Sequence, residues 1–459
     1  MASTRIDKTF SSEGTRNKWT FSVWLKGQRS GAVNHIFSYY NNDNTRWSTL
    51  QITSAYKLRY YDYNGGTFYT QLVSTKKLND PNAWYHVVLR YDTPQSTAAD
   101  RVRMYVNGEQ ITAFDTETYP NQSHTAYINS DTNPHTIGHE ITGGYFEGCM
   151  THAHFTDGYS YGPDSFGSTD ASTGEWKIIN EPSGLSYGTN GFFILKNGNS
   201  LTDQSPNSNN WTANGGTLTP TIDNPSNNFA VFNQQIKIEG QATTFSNGST
   251  TGQSPNSQGC GGISSIGASS GKFYAEFKQS AETTTNEGAI GVCDTYYINS
   301  NTNLGGSSNP GYIEYSVACF GLRDGSGGNF YSSNGSKVNN ASGQHGNWVN
   351  GDIIMVAMDL DNNRVYFGKN GQWQNTTNWN SATPNTYITL DSTGFEGTYH
   401  FVVGDSSSGN NVTWQANFGN GYFGTTQITS AGTNASGIGT FEYDVPSGYT
   451  ALCTKGLNE

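Results

Sequence analysis

Large apolar residues occupy every second position from 354 to 360, and the same period resumes at 365 and 367 after a polar turn at 361–363. A period of two that is bounded by turn-forming residues predicts an antiparallel hairpin with one buried face. The pair Asn370-Gly371 predicts the turn that follows. The pattern places on the buried face Ile354, Val356, Met358, Leu360, Val365 and Phe367.

The same hairpin pattern occurs a second time, in the N-terminal half of the chain. Residues 84–91 alternate in the same way, residues 102–106 continue the alternation, and Asn107-Gly108 supplies the turn signal. Each hairpin lies within its own run of short predicted strands. Two copies of this unit predict two antiparallel β-sandwich (jelly-roll) domains in tandem.

The strand pattern is interrupted between residues 197 and 235. This segment is rich in Asn, Ser and Pro and has almost no apolar periodicity, which is typical of a linker. We therefore predict a first sandwich at 1–196, a connector at 197–235 and a second sandwich at 236–459. The stretch 187–196 is expected to form a late edge strand of the first sandwich.

The other predicted strands are short and are separated by turn-forming residues. Besides the two hairpins, the sequence predicts strands at 18–26, 35–40, 48–53, 57–63, 67–72, 135–138, 148–156, 270–278, 288–294, 311–322, 400–404 and 412–419, with a tail at 441–457.

The composition supports an all-β fold. Aromatic residues make up 13% of the chain, charged residues make up 13%, and there are 55 glycines. Tyr, Trp, Thr and Val favour strands, whereas Gly and Asn favour turns. No long stretch has apolar residues at helical spacing, so we expect little helix.

The net charge of −12 argues against nucleic acid as a partner, because phosphate backbones bind basic surfaces. No apolar run has the length that crosses a bilayer, so we expect no membrane insertion. The N-terminus shows no signal-peptide pattern, and five cysteines without a C-x-x-C pair argue against a disulfide framework. These features predict synthesis and folding in a reducing cytoplasm.

Three short patterns resemble functional motifs, and each has a simpler structural interpretation. His152 and His154 share one face of a strand, but a zinc site needs further ligands, so packed or surface histidines are the default. Residues 267–271 fit G-x-S-x-G, yet a strand follows where a nucleophile elbow has a helix, which predicts a turn. Residues 359–363 resemble the start of a calcium loop, but Arg364 and Asn370 stand where that loop has Gly and Glu, so we predict a hairpin turn.

The sequence does not show the paired acids that glycoside hydrolases use. Lectin-fold hydrolases of the laminarinase-like branch carry two carboxylates on one strand, as in Glu-x-Asp-x-Glu, and we find no such run. Glu276 and Glu314 are single acids on strands, and we expect them to be exposed or hydrogen-bonded. The sequence therefore predicts a protein that is not an enzyme.

Aromatic residues are the candidates for ligand binding. A ring with a polar edge suits the face of a sugar or a peptide, although packing in the core or between strands accounts for part of any such set. The candidate ligand-binding residues are Tyr39, Tyr40, Trp47, Tyr61, Tyr63, Tyr296, Tyr297, Tyr312, Trp373 and Trp379.

The motifs of both domains resemble known folds. The first domain resembles a laminin-G-like, concanavalin-type jelly roll in Trp19-Thr-Phe-Ser-Val-Trp24, Trp84-Tyr-His-Val-Val88, Val106-Asn-Gly108 and Gly144-Tyr-Phe-Glu-Gly148. The second domain resembles a SPRY domain in Gly271-Lys-Phe-Tyr-Ala-Glu276, Ile290-Gly-Val292, the strand 351–360, Phe367-Gly-Lys-Asn-Gly371 and Asn417-Phe-Gly419.

Over nearly the whole chain, this order of motifs resembles a family of bacteriophage virion proteins that is abundant in marine viruses. The segments 166–176, 228–230 and 446–454 fit the same family. The resemblance implies a structural or adhesive protein on the exterior of the phage particle, as a tail fibre, spike or capsid decoration. The implied partners are other virion proteins and host surface glycans. A homo-oligomer, expected to be a trimer, is implied by the resemblance alone.

Two other functions stay open at the level of the sequence. One is a lectin-fold enzyme on the particle that degrades polysaccharides, and the other is an intracellular SPRY-type adaptor that binds a peptide. We predict no cofactor or metal, but a loop-bound calcium stays open because jelly rolls of the lectin type often carry one.

Overall fold

The chain divides into two compact units, Met1–Ser226 and Asn227–Glu459. Both are built from antiparallel sheets, so the predicted all-β fold with two sandwiches in tandem is confirmed. The computed structural model describes residues 4–27, 31–41, 45–140, 143–196, 198, 200–236, 243–254, 259–283, 288–300, 318–324, 330–333, 336–339, 347–376, 378–390, 395–405 and 411–458.

Helix is scarce, as the lack of helical periodicity predicts. The described helices are α1 at Ala98–Arg101 and α2 at Thr295–Ser300, and short 3-10 turns occur at Pro163–Ser165 and Gly456–Asn458. None of the helices in the described segments is long and apolar enough to span a membrane.

The first unit is a sandwich of an eight-stranded and a six-stranded sheet. In chain order its strands are β1 Arg5–Lys8, β2 Lys18–Lys26, β3 Asn34–Tyr40, β4 Arg46–Ile52, β5 Lys57–Asn64, β6 Thr67–Lys77, β7 Trp84–Asp92, β8 Val102–Val106, β9 Glu109–Gln110, β10 Phe114–Thr118, β11 His135–Ile137, β12 Cys149–Asp157, β13 Gly167–Thr169, β14 Trp176–Ile178, β15 Phe192–Ile194 and β16 Thr212–Asn214.

The strands of the first unit are not in chain order within the sheets. The larger sheet has the order β10-β6-β5-β4-β3-β11-β1-β16, the smaller sheet has the order β15-β12-β2-β7-β8-β9, and β13 pairs with β14 separately. The core lies between the two large sheets. Trp19, Phe21 and Val23 of β2 belong to it, as the alternation in that strand predicts, and Trp19 stacks on Tyr91 with 4.8 Å between ring centroids.

Residues 197–235, which we predicted as a separate connector, are instead shared between the two units. Within the first unit, β16 pairs with β1 at the edge of the larger sheet, and Trp211 lies in the core. Asp223 is buried and accepts hydrogen bonds from Lys26 Nζ at 2.5 Å and from Trp84 Nε1 at 3.0 Å. Single buried side chains hold this segment, and because they follow no period, the sequence resembled a linker.

The second unit is a sandwich of a ten-stranded and a six-stranded sheet. Its strands are β17 Thr244–Ser246, β18 Thr251–Gln253, β19 Cys260–Ile263, β20 Lys272–Glu282, β21 Gly288–Asp294, β22 Cys319–Arg323, β23 Phe330–Ser333, β24 Ser336–Asn339, β25 Ile353–Asp359, β26 Arg364–Lys369, β27 Gln372–Asn375, β28 Asn378–Ser381, β29 Tyr387–Thr389, β30 Tyr399–Asp405, β31 Val412–Asn417, β32 Tyr422–Phe423, β33 Thr426–Gln427 and β34 Thr450–Ala451.

The larger sheet of the second unit follows the order β17-β18-β31-β20-β25-β26-β27-β28, with β29 paired to β26 and β34 paired in parallel to β20. The smaller sheet follows the order β19-β30-β21-β22-β23-β24, and β32 pairs with β33. The six residues that the alternation places on the inner face of the predicted hairpin all lie in the core between the sheets. The part of the predicted strand 311–322 that contains Glu314 lies outside the described residues.

The hairpin differs from the prediction in one respect, because β25 is buried on both faces. Its outer residues Met355 and Ala357 pack with Phe441, Tyr449 and other residues of the C-terminal segment 438–453. This segment lies over the outer face of the larger sheet. The continuous apolar run Ile353–Met358 is the sequence signal for two buried faces, and the alternation alone does not capture it.

A buried carboxylate holds the C-terminal segment on the sheet. Glu276 of β20 is fully buried, and its oxygens accept hydrogen bonds from the backbone N–H groups of Glu442 and Tyr443, both at 2.8 Å. Tyr274 Oη at 2.9 Å and Asn417 Nδ2 at 3.1 Å donate the other two. Burial raises the pKa of Glu276 to about 7, and the four hydrogen bonds only partly oppose that rise.

We expect Glu276→Gln to destabilise the second unit by about 1–3 kcal/mol at pH 5. The side-chain N–H₂ of glutamine would face N–H and O–H donors, and it cannot accept the hydrogen bonds that they give to Glu276. The wild-type pKa is higher in the folded chain than in the unfolded chain. The stability that the protonated Glu276 contributes is therefore complete below about pH 4.5 and falls, by up to about 3 kcal/mol, as the pH rises to about 7.

Urea unfolding of wild type and of Glu276→Gln at several pH values measures the difference in their free energies of unfolding. Glu442→Gln is the matched control, because the Glu442 carboxylate has no hydrogen bond or ion pair with a described residue. We expect that control to change the free energy of unfolding by less than about 0.5 kcal/mol. A stability gap between wild type and Glu276→Gln that stayed constant from pH 5 to 8 would contradict the role of the buried acid.

Candidate functional site

The outer face of the larger sheet in the first unit carries a cluster of aromatic side chains. Along β5, Leu58 and Tyr60 point into the core, whereas Arg59, Tyr61 and Tyr63 lie on the opposite face and are half-buried. Side chains alternate between the two faces of a strand, so these three residues share the outer face.

The strand register places rings from three neighbouring strands side by side. Trp47 of β4 pairs with Tyr63 of β5, and Tyr63 pairs with Phe68 of β6. The ring centroids of Trp47 and Tyr63 are 4.8 Å apart, and those of Tyr63 and Phe68 are 5.0 Å apart. Tyr61 meets Phe68 edge-on at 5.7 Å. Of these rings, Phe68 is the most open to solvent, with 39% of its surface exposed.

Arg59 adds a cationic group to these rings. Its guanidinium carbon lies 4.4 Å from the ring centre of Tyr61 and 5.6 Å from that of Phe68. The guanidinium makes no hydrogen bond or ion pair with any described residue. Partial burial lowers the pKa of Arg59, and Tyr61 opposes this shift. We call Trp47, Arg59, Tyr61, Tyr63 and Phe68 the aromatic cluster.

The aromatic cluster combines the two kinds of contact that sugars require. Aromatic rings offer apolar faces and polar edges, which suit the C–H faces of a pyranose. The guanidinium of Arg59 offers planar hydrogen-bond donors for hydroxyl or carboxylate oxygens. In the described part of the chain no acidic side chain pairs with Arg59, so the hydrogen-bonding capacity of its guanidinium is not used there.

The structure brings together three of the predicted site residues, Trp47, Tyr61 and Tyr63, and buries two others of the first unit. Tyr39 lies in the core and its hydroxyl contacts Thr132 at 2.9 Å. Tyr40 pairs with Trp47 across β3 and β4 but is only 7% exposed. Tyr39 and Tyr40 therefore contribute to packing and present little surface to a ligand.

The predicted site residues of the second unit are scattered. Tyr296 is exposed and lies 5.3 Å from the ring of Phe395, whereas its neighbour Tyr297 is fully buried. Trp373 is buried in the wall of a cleft under the C-terminal segment, and Trp379 is half-buried against the core. Tyr312 lies outside the described residues. The four described residues of this set do not form one site.

Sequence reasoning missed Phe68 and Arg59. The pattern predicted β6, but the register between β5 and β6 shifts between Asp62 and Tyr63. Because of this shift, the face on which each residue of β6 lies could not be found by counting residues from the turn. Arg59 alternates with Leu58 and Tyr60 in the sequence, which indicates an outer position. That no described acid pairs with Arg59 is visible only in the structure.

The motif-like histidines are packed side chains. His154 is buried, stacks on Phe193 with 3.8 Å between ring centroids and contacts Tyr187 Oη through Nδ1 at 2.9 Å. His152 also contacts Phe193, and burial lowers the pKa of both histidines. Within the described segments, no group of three or more His, Cys, Asp or Glu side chains could hold a metal ion.

Buried acids in the first unit hold the fold together. Asp62 is fully buried and accepts hydrogen bonds from the hydroxyl groups of Ser48, Tyr60 and Tyr91. Asp157 accepts hydrogen bonds from the backbone of Thr15 at 2.7 Å and of Asn190 at 3.1 Å. Donors of the protein itself occupy the oxygens of both carboxylates.

A family model supports the fold of the first unit. Residues 6–158 match the model described as the concanavalin A-like lectin/glucanases superfamily, which spans about a third of the chain. The first unit thus has the concanavalin-like sandwich fold that its motifs resemble. No curated protein sequence matches this chain.

Solved structures show low but recurrent likeness. The chain is 10% identical to domains LG4-5 of the mouse laminin alpha1 chain, covering 98% of this chain and 84% of that one with a TM-score of 0.29. It is 16% identical to the SPRY domain of human HERC1, with 36% and 81% covered and a TM-score of 0.24. It is 18% identical to the CBM40 of the Ruminococcus gnavus IT-sialidase bound to α2,3-sialyllactose, with 35% and 92% covered and a TM-score of 0.25. These scores are too low to inform function.

We expect Arg59→Met to leave the free energy of unfolding unchanged or to raise it by up to about 1 kcal/mol. Arg59 is a partly buried cation that pairs with no acid in the segments that the structure describes, and replacing it by an apolar side chain removes a desolvation cost. Urea unfolding measures the effect. The control is Arg16→Met, because Arg16 Nε donates to Ala126 O at 2.6 Å and its loss should cost about 1–2 kcal/mol. A loss above about 1 kcal/mol in Arg59→Met would assign Arg59 a structural role.

Proposed function

We propose that this chain is a non-enzymatic adhesion protein whose first unit binds glycans through the aromatic cluster. The observation that carries the proposal is the group of rings from β4, β5 and β6 beside the guanidinium of Arg59, which has no anionic partner among the described residues. A binding surface of this kind needs no reactive group, only rings and donors that rigid strands hold in place.

The rigidity of the sheet supports a binding role. The cluster residues lie on hydrogen-bonded strands in the interior of the eight-stranded sheet, and Tyr60 and Leu58 fix β5 from the core side. Side chains on such a scaffold lose little conformational freedom when a ligand binds. The concanavalin-like fold of residues 6–158 is consistent with a binding function and also occurs in enzymes.

Binding is favoured over catalysis by the way the described acids are used. Hydrolysis of a glycosidic bond needs two carboxyl groups on either side of the bond. The buried carboxylates of Asp62, Asp157 and Glu276 instead accept hydrogen bonds from the protein's own donors. In the aromatic cluster, burial and the charge of Glu140 raise the pKa of Tyr61, and Glu140 is itself buried beside His35.

We further propose that the protein is displayed on the exterior of a bacteriophage particle, as a fibre, spike or decoration. The order of sequence motifs, with a lectin-like domain before a SPRY-like domain, supports this proposal. Host surface glycans would then be the ligands of the first unit, and other virion proteins would be the partners that fix the chain to the particle. A trimer is the oligomeric state that we propose on the same resemblance.

The double variant Trp47→Ala/Tyr63→Ala should weaken binding to the oligosaccharides that wild type recognises on a glycan array by more than about tenfold, because it removes two neighbouring ring faces. Calorimetry with the best array ligand measures the change. Tyr296→Ala, which removes an exposed ring of the second unit, is the matched control and should bind like wild type.

Two outcomes would count against the proposal. Wild type that binds no glycan on the array, or a double variant that keeps full affinity, would exclude the aromatic cluster as the site. Shortened chains after incubation of the protein with its polysaccharide ligand would show that the protein is an enzyme. Detection of the protein in purified phage particles, in a fixed ratio to the capsid protein, tests the proposed location.

A further inference from the structure

The second unit contains an open cleft of about 570 Å³ between the outer face of its larger sheet and the C-terminal segment. The aromatic residues Tyr366, Trp373, Tyr443 and Tyr449 form much of its wall. A volume in this range is typical of sites that bind a small molecule or a side chain of a partner. The cleft belongs to the second unit alone and shares no residue with the aromatic cluster.

The cleft is held open by the hydrogen bonds that fix the C-terminal segment. The backbone of Glu442 and Tyr443 donates to the buried Glu276, and Val445 N donates to Thr433 O at 2.8 Å. Thr433 also fixes Asp444, since its N–H and hydroxyl both donate to Asp444 Oδ1 at 2.6 and 2.8 Å. The wall of the cleft is therefore preorganised before any ligand binds.

The charged residues in the lining of the cleft are both acidic. Glu442 and Asp444 border it, and its lining includes no Lys, Arg or His. The Glu442 carboxylate and Asp444 Oδ2 make no hydrogen bond or ion pair with a described residue. Two cations touch its rings from outside the lining: Lys272 Nζ lies 5.9 Å from the ring centre of Tyr449 and pairs with Asp359 at 3.1 Å, and Arg364 Nη1 donates to Tyr366 Oη at 3.5 Å and stacks over Tyr387.

We propose that this cleft binds a protein segment by taking in one of its lysine or arginine side chains. The aromatic walls suit the apolar stem of such a side chain, and a ring face also attracts the cationic head. The two open carboxylates supply the acceptors that an ammonium or guanidinium group needs. An amino sugar carries a similar charge but has no long apolar stem to fill the space between the rings.

The test uses the full chain and a blocked peptide, acetyl-Gly-Lys-Gly-Lys-Gly-amide, titrated by calorimetry at low salt. Wild type should bind this peptide at least about tenfold more tightly than the same peptide with both lysine ammonium groups acetylated. The double variant Glu442→Gln/Asp444→Asn should lose about tenfold in affinity for the charged peptide. Its fold should be kept, because the amide oxygen that replaces Asp444 Oδ1 can still accept from Thr433.

The matched control is Glu109→Gln/Glu175→Gln, which removes the same charge from exposed positions of the first unit and should bind like wild type. A second variant, Ala382→Trp, places a large ring in the cleft and should abolish binding without changing its charge. Equal binding of the charged and acetylated peptides, or no binding of either, would overturn the proposal. Tighter binding of a glucosamine trimer than of the peptide would overturn the assignment to a protein segment.

Discussion

The structure depends on buried carboxylates that accept hydrogen bonds from the backbone of distant segments. A protein with only 13% charged residues and many long polar connections has little apolar surface with which to fix those connections. Loops cannot be buried unless their N–H groups find acceptors. The Asp157 carboxylate accepts from the backbone N–H groups of residues 15 and 190, and the Asp294 carboxylate accepts from those of residues 296, 396 and 397. Glu276 does the same for residues 442 and 443. One acidic side chain in the sandwich thus fixes a segment that is far away in sequence.

This constraint also determines where binding surfaces can form. A carboxylate that fixes a loop makes the surface of that loop rigid, so side chains on it can meet a ligand without a large loss of conformational entropy. Asp294 fixes the start of α2, where Tyr296 is exposed, and Glu276 fixes the wall of the cleft in the second unit. The aromatic cluster in the first unit needs no such acid, because hydrogen-bonded strands hold its rings directly.

Much of the fold could be predicted from the sequence, because a strand with one buried face has apolar residues at every second position. The strands Lys18–Lys26 and Gly288–Asp294 have the predicted bounds, and the inner face of the hairpin β25–β26 was correctly assigned. The segments fixed by single contacts were not predictable in this way, since Trp211 and Asp223 form no pattern. Of the candidate site, the sequence singled out Trp47, Tyr61 and Tyr63, and their role in binding stays a prediction. It could not exclude Tyr39 or Tyr297, because an aromatic residue looks the same in the sequence whether it is buried or exposed.

The contrast between Glu276 and Arg59 separates a structural charge from one that suits a ligand. Both are ionisable groups removed in part from water, which costs free energy unless partners compensate. Glu276 has four donors, so part of the cost of its burial is offset within the fold. Arg59 has stacking contacts but no acceptor among the described residues, although the chain carries 36 acidic side chains against 24 basic ones. In a chain with that excess of acids, an arginine without an anionic partner has a desolvation cost that folding does not offset. A ligand that presents oxygens to the guanidinium would offset it, and this physical difference makes the aromatic cluster, and not the acid-rich interior, the place to look for binding.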